Sequence, residues 1–153
     1  MSGVLLIGYG NPLRGDDGVG WRVARWFEEN ADDPEFKVLI CHQLTPDLAD
    51  DLSRVRLAVF VDAREDGEPG TIHCEPVRAQ ADVPSAFSHH VEPSLLLAIA
   101  EQAFYSAPRA ALFTISGEKF DYSEHLSHRI ESLLPEAVST IQKWIRENRE
   151  REK

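Results

Sequence analysis

The chain has 153 residues, of which 42% are hydrophobic and 27% are charged, and this is the composition of an ordinary globular protein. The length predicts a single domain over residues 1–153 with a core that needs no disulfide or structural metal, and the formal net charge of −10 disfavours a nucleic-acid partner, which needs a basic face. No apolar run approaches the roughly 18–20 residues of a membrane span, and the N-terminus lacks a secretory signal pattern, so we expect a cytoplasmic protein with no membrane partner.

Strand and helix patterns alternate along the first part of the chain. Short, continuous apolar runs predict strands that are covered on both faces, and helical spacing of apolar residues predicts amphipathic helices between them. Thr45 and Pro46 suit the cap and the first position of the second helix. The third strand ends on a carboxylate, Asp62. The predicted strands cover residues 3–8, 36–41 and 57–62, and the predicted helices cover residues 18–30 and start again at residue 45.

The second part of the chain is less regular but continues the alternation. Pro76, near the end of a short strand, predicts an edge position in the sheet. Ser127 can cap a long final helix, in which Pro135 predicts a kink or a break. Basic and acidic residues alternate over residues 146–153, so we expect the helix to end in a fraying, solvated tail. The predicted elements are strands at 70–77 and 109–116, a loop at 85–90, and helices at 93–104 and from 127 onward.

This order of elements predicts the fold class. Strands that alternate with helices form mostly parallel sheets, and the helices cover both faces. We therefore predict an α/β protein with a three-layer α/β/α architecture around a central, mostly parallel sheet. In such sheets, binding sites form at the carboxyl ends of the strands. The notable polar residues of the chain lie there: after the first strand, after the third strand, and before the helix at residue 93.

The glycine-rich loop after the first strand does not fit a nucleotide site. A dinucleotide fingerprint needs GxGxxG, but the GYG at residues 8–10 is followed by Leu13 where the third glycine belongs. Two adjacent carboxylates, Asp16 and Asp17, would repel a pyrophosphate at the helix N-terminus. The sequence also contains no Walker motif. We therefore expect no organic cofactor.

The polar residues at the strand ends have both a structural and a functional interpretation. At a helix N-terminus, Asp16 and Asp17 would each stabilise the helix by roughly 0.3–1 kcal/mol, and Asp62 can simply start a turn. Capping does not explain why four glycines surround the pair, since glycine strips bulk and frees the backbone where a site needs close approach. Two carboxylates and an imidazole from His89 or His90 would form an open metal site with two oxygen ligands and one nitrogen ligand.

Other reactive side chains predict neither a catalytic dyad nor a metal site. Cys41 and Cys74 have no CxxC partner, and in a cytoplasmic protein we expect free, buried thiols. His125 and His128 lie three residues apart without an evident third ligand, so we expect them on the surface. The sequence contains no GxSxG elbow and no HExxH motif.

The first loop resembles a known family signature. Residues 7–20, IGYGNPLRGDDGVG, resemble the N-terminal signature of the hydrogenase maturation proteases, the endopeptidases that process the large subunit of nickel–iron hydrogenases. Residues 60–63, FVDA, are similar to the strand-end aspartate of that family, and residues 88–91, SHHV, to its histidine loop. The resemblance covers residues 4–116 in order and spacing, while the final helix matches in type only.

The resemblance implies a metal-contacting trio. By motif position these residues are Asp17, Asp62 and His89, which would also be the catalytic residues, and His90 competes for the third place. The best-known members of the family carry glutamate where this chain has Asp17. Residues 41–45, CHQLT, stand where many members have a glycine-rich turn that is implicated in substrate engagement.

The resemblance also implies an activity. It predicts an endopeptidase that removes the C-terminal extension of a nickel-loaded hydrogenase large-subunit precursor, so the nickel belongs to the substrate and the isolated protein holds at most adventitious divalent ions. Asp17 or Asp62 could act as general base toward a water, or the metal could activate the water or polarise the carbonyl. Two other hypotheses stay open: a non-catalytic nickel-sensing or maturation chaperone domain with the same site, and a small-molecule hydrolase on the same scaffold.

Overall fold

A five-stranded sheet flanked by helices forms the centre of the computed structural model, which describes residues 3–84 and 91–151. A short 3₁₀ helix at Gly15–Gly18 leads directly into the first α-helix. The strands are β1 (Val4–Tyr9), β2 (Phe36–Cys41), β3 (Leu57–Arg64), β4 (Ile72–Val77) and β5 (Arg109–Ser116), and the helices are α1 (Val19–Asn30), α2 (Leu48–Leu52), α3 (Pro93–Phe104) and α4 (His128–Arg151).

The strand order β2-β1-β3-β5-β4 creates a crevice at one end of the sheet. Neighbouring strands are parallel except for β4, which runs antiparallel to β5 and, as Pro76 predicts, lies at the edge. From β1 the chain crosses to β2 on one side, and it then returns past β1 to form β3 on the other side. The loops that leave β1 and β3 therefore diverge, and ligands of parallel sheets bind at such a switch point.

Apolar side chains on the two faces of the sheet build two separate cores. Alternate residues of a strand point to opposite faces, so the continuous apolar run of β1 supplies both cores. The sheet is covered by α1 and α4 on one face and by α2 and α3 on the other. The predicted three-layer α/β/α architecture with a mostly parallel sheet is confirmed. Fully buried members include Leu6, Val59 and Phe113 in the first core and Ile7, Phe60 and Leu96 in the second.

Two helix predictions differ from the structure. The second helix begins at Leu48 instead of at residue 45, because the carbonyl groups of Thr45 and Pro46 accept the N–H groups of Leu48 and Ala49 in a turn that precedes it. Of the kink or break predicted at Pro135, the break is absent, because the long helix α4 continues through this residue. Pro135 lies on the exposed side of α4, where water can hydrate the carbonyl group that loses its N–H partner.

The described part of the C-terminal tail is helical and makes two contacts with the rest of the domain through Asn148 and Arg149. The helix α4 reaches Arg151, and Asn148 within it is buried. The Arg149 guanidinium donates a hydrogen bond to Asp33 Oδ2 at 2.7 Å. These contacts join the last described turns to the loop between α1 and β2, while the side chains of Arg146, Glu147, Glu150 and Arg151 are exposed. The fraying, solvated tail over residues 146–153 stays a prediction.

The cysteines and the surface histidines follow the sequence predictions in part. Both thiols are free, but Cys74 is exposed on the edge strand and Cys41 is half-buried, so the prediction that both are buried is wrong. His125 and His128 are exposed, as expected. Within residues 3–84 and 91–151, no helix combines the length and the apolar character that a membrane crossing demands.

Candidate functional site

The loop after β1 passes very close to the ends of the central strands. Gly10 has a φ of 136°, and a Cβ atom at this position would lie 2.3 Å from the carbonyl oxygen of Asp17. A Cβ atom on Gly20 would lie 2.5 Å from the carbonyl oxygen of Val61. Both positions therefore require glycine, and the close approach brings the first turn of α1 directly over the ends of β1 and β3.

Asp16 is fully buried and serves the architecture of the loop. Its Oδ2 atom accepts the N–H groups of Glu118 and Lys119 at 2.8 and 2.9 Å and the hydroxyl of Ser127 at 2.8 Å, while Oδ1 accepts the Ser127 N–H at 2.7 Å. Burial by itself raises the pKa of Asp16, but these hydrogen bonds outweigh it and hold the pKa below its usual value. Asp16 thus fastens the first loop to the segment between β5 and α4.

Neither carboxylate of the pair caps a helix. No side-chain hydrogen bond closes the N-terminus of the Gly15–Gly18 turn or of α1, so any helix stabilisation by the pair comes from its negative charge and not from a capping hydrogen bond. Both carboxylates do lie in the first turn of the 3₁₀ helix. Asp17 is half-buried, and its Oδ2 atom accepts the Asn11 N–H at 2.7 Å.

Asp62 lies beyond the last paired residue of β3 with β1 and faces the same crevice. Its Oδ1 atom accepts the N–H of Ala63 at 2.8 Å. Burial is the largest cause that raises the pKa of Asp62; together with the negative charge of Asp17, and against the opposing Ala63 hydrogen bond, it brings the pKa to about 7. The structure thus brings Asp17 and Asp62 within electrostatic range of each other. Each has one oxygen held by a backbone N–H and, among the described residues, one oxygen without a hydrogen-bond partner.

A cavity of about 530 Å³ opens beside Asp62 on the face of the sheet that carries α3. Tyr9 and Leu112 form part of its wall, and Arg78 and Glu92 bring a positive and a negative charge to it. The cavity runs from the ends of β1 and β3 across β5 toward the edge strand. This space is large enough for a short segment of extended peptide.

Among known proteins, the chain is similar to several whose structures have been solved. No protein-family model and no curated protein sequence matches this chain. The hydrogenase maturating endopeptidase HybD from E. coli superposes with a TM-score of 0.73 at 20% identity over 95% of this chain and 93% of that chain. The [NiFe] hydrogenase maturation protease HycI from Thermococcus kodakarensis KOD1 gives 0.73 at 21% over 93% and 91%, and HybD from T. kodakarensis gives 0.69 at 23% over 93% and 98%.

The chain has the fold of the hydrogenase maturation proteases. The family resemblance is confirmed at the level of the fold, since these neighbours cover nearly the whole chain. In this hydrogenase maturation protease fold, the candidate site occupies the switch point between β1 and β3, where Asp17 and Asp62 lie within electrostatic range of each other.

The histidine predictions lie outside the part of the chain that the structure describes. His89 and His90 belong to residues 85–90, and the described chain resumes at Val91, which lines the cavity that also contains Asp62. Over residues 3–84 and 91–151, no three His, Cys, Asp or Glu side chains are grouped so that they could hold a metal ion. Asp17 and Asp62 of the predicted trio fall in that range, whereas His89 does not. The place of His89 as the third member therefore stays a prediction.

Tyr9 is a site residue that sequence reasoning missed. It is the last residue of β1, and its half-buried ring lines the cavity with Asp62. Burial and the nearby negative charges of Asp62, Glu92 and Cys41 raise the pKa of the Tyr9 phenol well above its usual value. The period of two along β1 puts residue 9 on the same face as Ile7, but placing it beside Asp62 also needs the order of the strands.

Proposed function

We propose that this chain is an endopeptidase that removes the C-terminal extension of a nickel-loaded nickel–iron hydrogenase large-subunit precursor. The observation that carries the proposal is the pair of carboxylates, Asp17 and Asp62, at the switch point of a hydrogenase maturation protease fold. Three of the solved proteins that share this fold bear names that describe hydrogenase maturation by an endopeptidase or protease.

The chemistry of the two carboxylates fits a metal that arrives with the substrate. A backbone N–H orients each carboxylate by one oxygen, and the second oxygen has no hydrogen-bond partner among the described residues. Two carboxylate oxygens and the imidazole of His89 would contact a borderline metal ion and leave coordination positions for the ligands of the precursor. We therefore assign the nickel to the precursor and propose Asp17, Asp62 and His89 as its contacts, with no organic cofactor.

The same carboxylates can take part in the hydrolysis. A group that moves protons efficiently at neutral pH needs a pKa near 7, and burial and Asp17 give Asp62 such a pKa. Asp62 is thus suited to accept a proton from the attacking water and to return it to the amine that leaves. This role supports an enzyme rather than a purely metal-sensing domain.

The test compares two forms of the same precursor. We expect the purified protein to shorten nickel-loaded precursor by the mass of its C-terminal extension and to leave nickel-free precursor intact, as mass spectrometry would show. Asp51→Asn, an exposed carboxylate on α2, is the matched control and should cleave like the wild type. Equal cleavage of both precursors would contradict the role of nickel. Stable binding without cleavage would indicate the non-catalytic nickel-sensing or chaperone alternative.

A further inference from the structure

Parallel pairing places Tyr9 alongside Asp62. The strands β1 and β3 run in register from Val4 opposite Leu57 to Gly8 opposite Val61. One step further along both strands brings residue 9 opposite residue 62, and side chains at equivalent steps of parallel strands share a face. Both side chains line the same cavity, as this register requires.

The hydroxyl group of Tyr9 has no hydrogen-bond partner among the described residues, although its ring packs against the core beneath α3. Over the same part of the chain, every buried side-chain nitrogen or oxygen has a partner, so the Tyr9 Oη atom must be accessible to solvent. The accessible space beside Tyr9 is the cavity. Tyr9 thus keeps an uncommitted hydroxyl donor on the side of the cavity that Asp62 also lines.

The Tyr9 hydroxyl is protonated at neutral pH, because the ordinary pKa of a tyrosine phenol is about 10. Asp62 and Glu92 contribute negative charge, Cys41 lies opposite Tyr9 in the pairing of β1 with β2, and Arg78 is the cationic residue of the cavity wall. A phenol in such surroundings is a donor throughout the neutral range and is neither a general base nor a nucleophile.

We propose that Tyr9 is a catalytic residue whose hydroxyl donates a hydrogen bond to the carbonyl oxygen of the peptide bond that is cleaved. This inference rests on the proposed endopeptidase function. The oxygen of water bonds to the carbonyl carbon while the C–N bond breaks, and the electron pair of that bond goes to the amine nitrogen. One proton of the water passes through a site carboxylate to that nitrogen. Tyr9 keeps its own proton and stabilises the negative charge that develops on the carbonyl oxygen.

Three variants separate the hydroxyl from the ring. Tyr9→Phe removes only the donor, Tyr9→Leu removes the donor and the ring, and Tyr105→Phe removes an exposed hydroxyl at the far end of α3 as a matched control. With nickel-loaded precursor, we expect the kcat of Tyr9→Phe to fall by about 10²-fold while its KM changes little. The thermal midpoint should be unchanged in Tyr9→Phe, which breaks no internal hydrogen bond, and lowered in Tyr9→Leu, which loses packing.

Each other outcome has a defined meaning. Wild-type kcat in Tyr9→Phe, or a change confined to KM, would overturn the catalytic role of the hydroxyl while leaving the protease proposal intact. A large loss of stability in Tyr9→Phe would also overturn it, since the hydroxyl would then have a structural partner. If the wild type leaves nickel-loaded precursor uncleaved, both proposals fail together.

Discussion

Adjacent carboxylates in one loop can carry opposite roles when the backbone turns between them. Asp16 points inward and accepts four hydrogen bonds from the segment between β5 and α4. Asp17 lies close enough to Asp62 to raise its pKa, and it leaves one oxygen without a partner among the described residues. The first residue is built into the scaffold, and the second is available to a ligand.

Amide substitutions should therefore separate stability from activity. In Asp16→Asn, an NH₂ group replaces an oxygen that faces backbone N–H groups, so we expect a loss of about 2–3 kcal/mol in the free energy of unfolding. Asp17→Asn keeps its bond to Asn11 and should change stability by less than about 1 kcal/mol, but it should slow precursor processing by at least about 10²-fold. Urea unfolding and the processing assay measure the two effects. Equal stability of the two variants would contradict this division of roles.

The raised pKa of Asp62 predicts a stability that depends on pH. The Asp62 carboxyl has a pKa of about 7 in the folded chain and of about 3.9 in the unfolded chain. At a pH between these two values, the folded state therefore binds more protons than the unfolded state. Stability should then fall as pH rises from about 4 to about 7. Asp62→Asn cannot ionise, and we expect it to be more stable than the wild type by about 1–3 kcal/mol at pH 8 and by little at pH 4.

Denaturant unfolding of both proteins at the two pH values measures this difference. The Asp62→Asn variant should at the same time lose processing activity, because its amide cannot serve as a charged ligand or as a base. A stability gain that is the same at both pH values would show that the burial of charge is not its cause.

At the scale of elements, the local sequence predicts some helix and strand boundaries correctly and others wrongly. The predicted limits of β2, α3 and β5 agree with the structure, since each element coincides with an uninterrupted apolar or amphipathic pattern. The short helix α2 was predicted too long because Thr45 and Pro46 have the composition of a helix start yet form a turn. Pro135 predicted a break that solvent exposure on one side of α4 makes unnecessary.

The end of α4 offers a test at this scale. Deletion of residues 146–153 removes buried Asn148 and the ion pair between Arg149 and Asp33. We expect a lower thermal midpoint and an unchanged kcat, because these contacts lie near the starts of β2 and β5, at the end of the sheet opposite the candidate site. Circular dichroism and the processing assay would measure both. A midpoint equal to that of the full chain would instead support a solvated tail.

At the scale of the whole molecule, the order of the strands decides what the sequence could reveal. Asp17 and Asp62 could be recognised as candidate site residues because they follow apolar runs that are typical of parallel strands. That Tyr9 shares a cavity with Asp62, and that Asp16 bonds to residues more than a hundred positions away, depends on which strands and loops become neighbours. Periodicity reports the face of a strand and carries no information about the strand beside it.

The antiparallel edge strand has a consequence for self-association. The Ser116 N–H bonds to the Thr71 carbonyl, so the alternation along β4 turns the backbone groups of Ile72, Cys74 and Pro76 outward. A proline at an outward position costs no bond within the sheet, and it denies a hydrogen-bond donor to any strand that approaches from outside. An unpaired sheet edge can pair with a strand of another chain and so lead to aggregation. Pro76 weakens such pairing between copies of this chain when many of them are close together during synthesis.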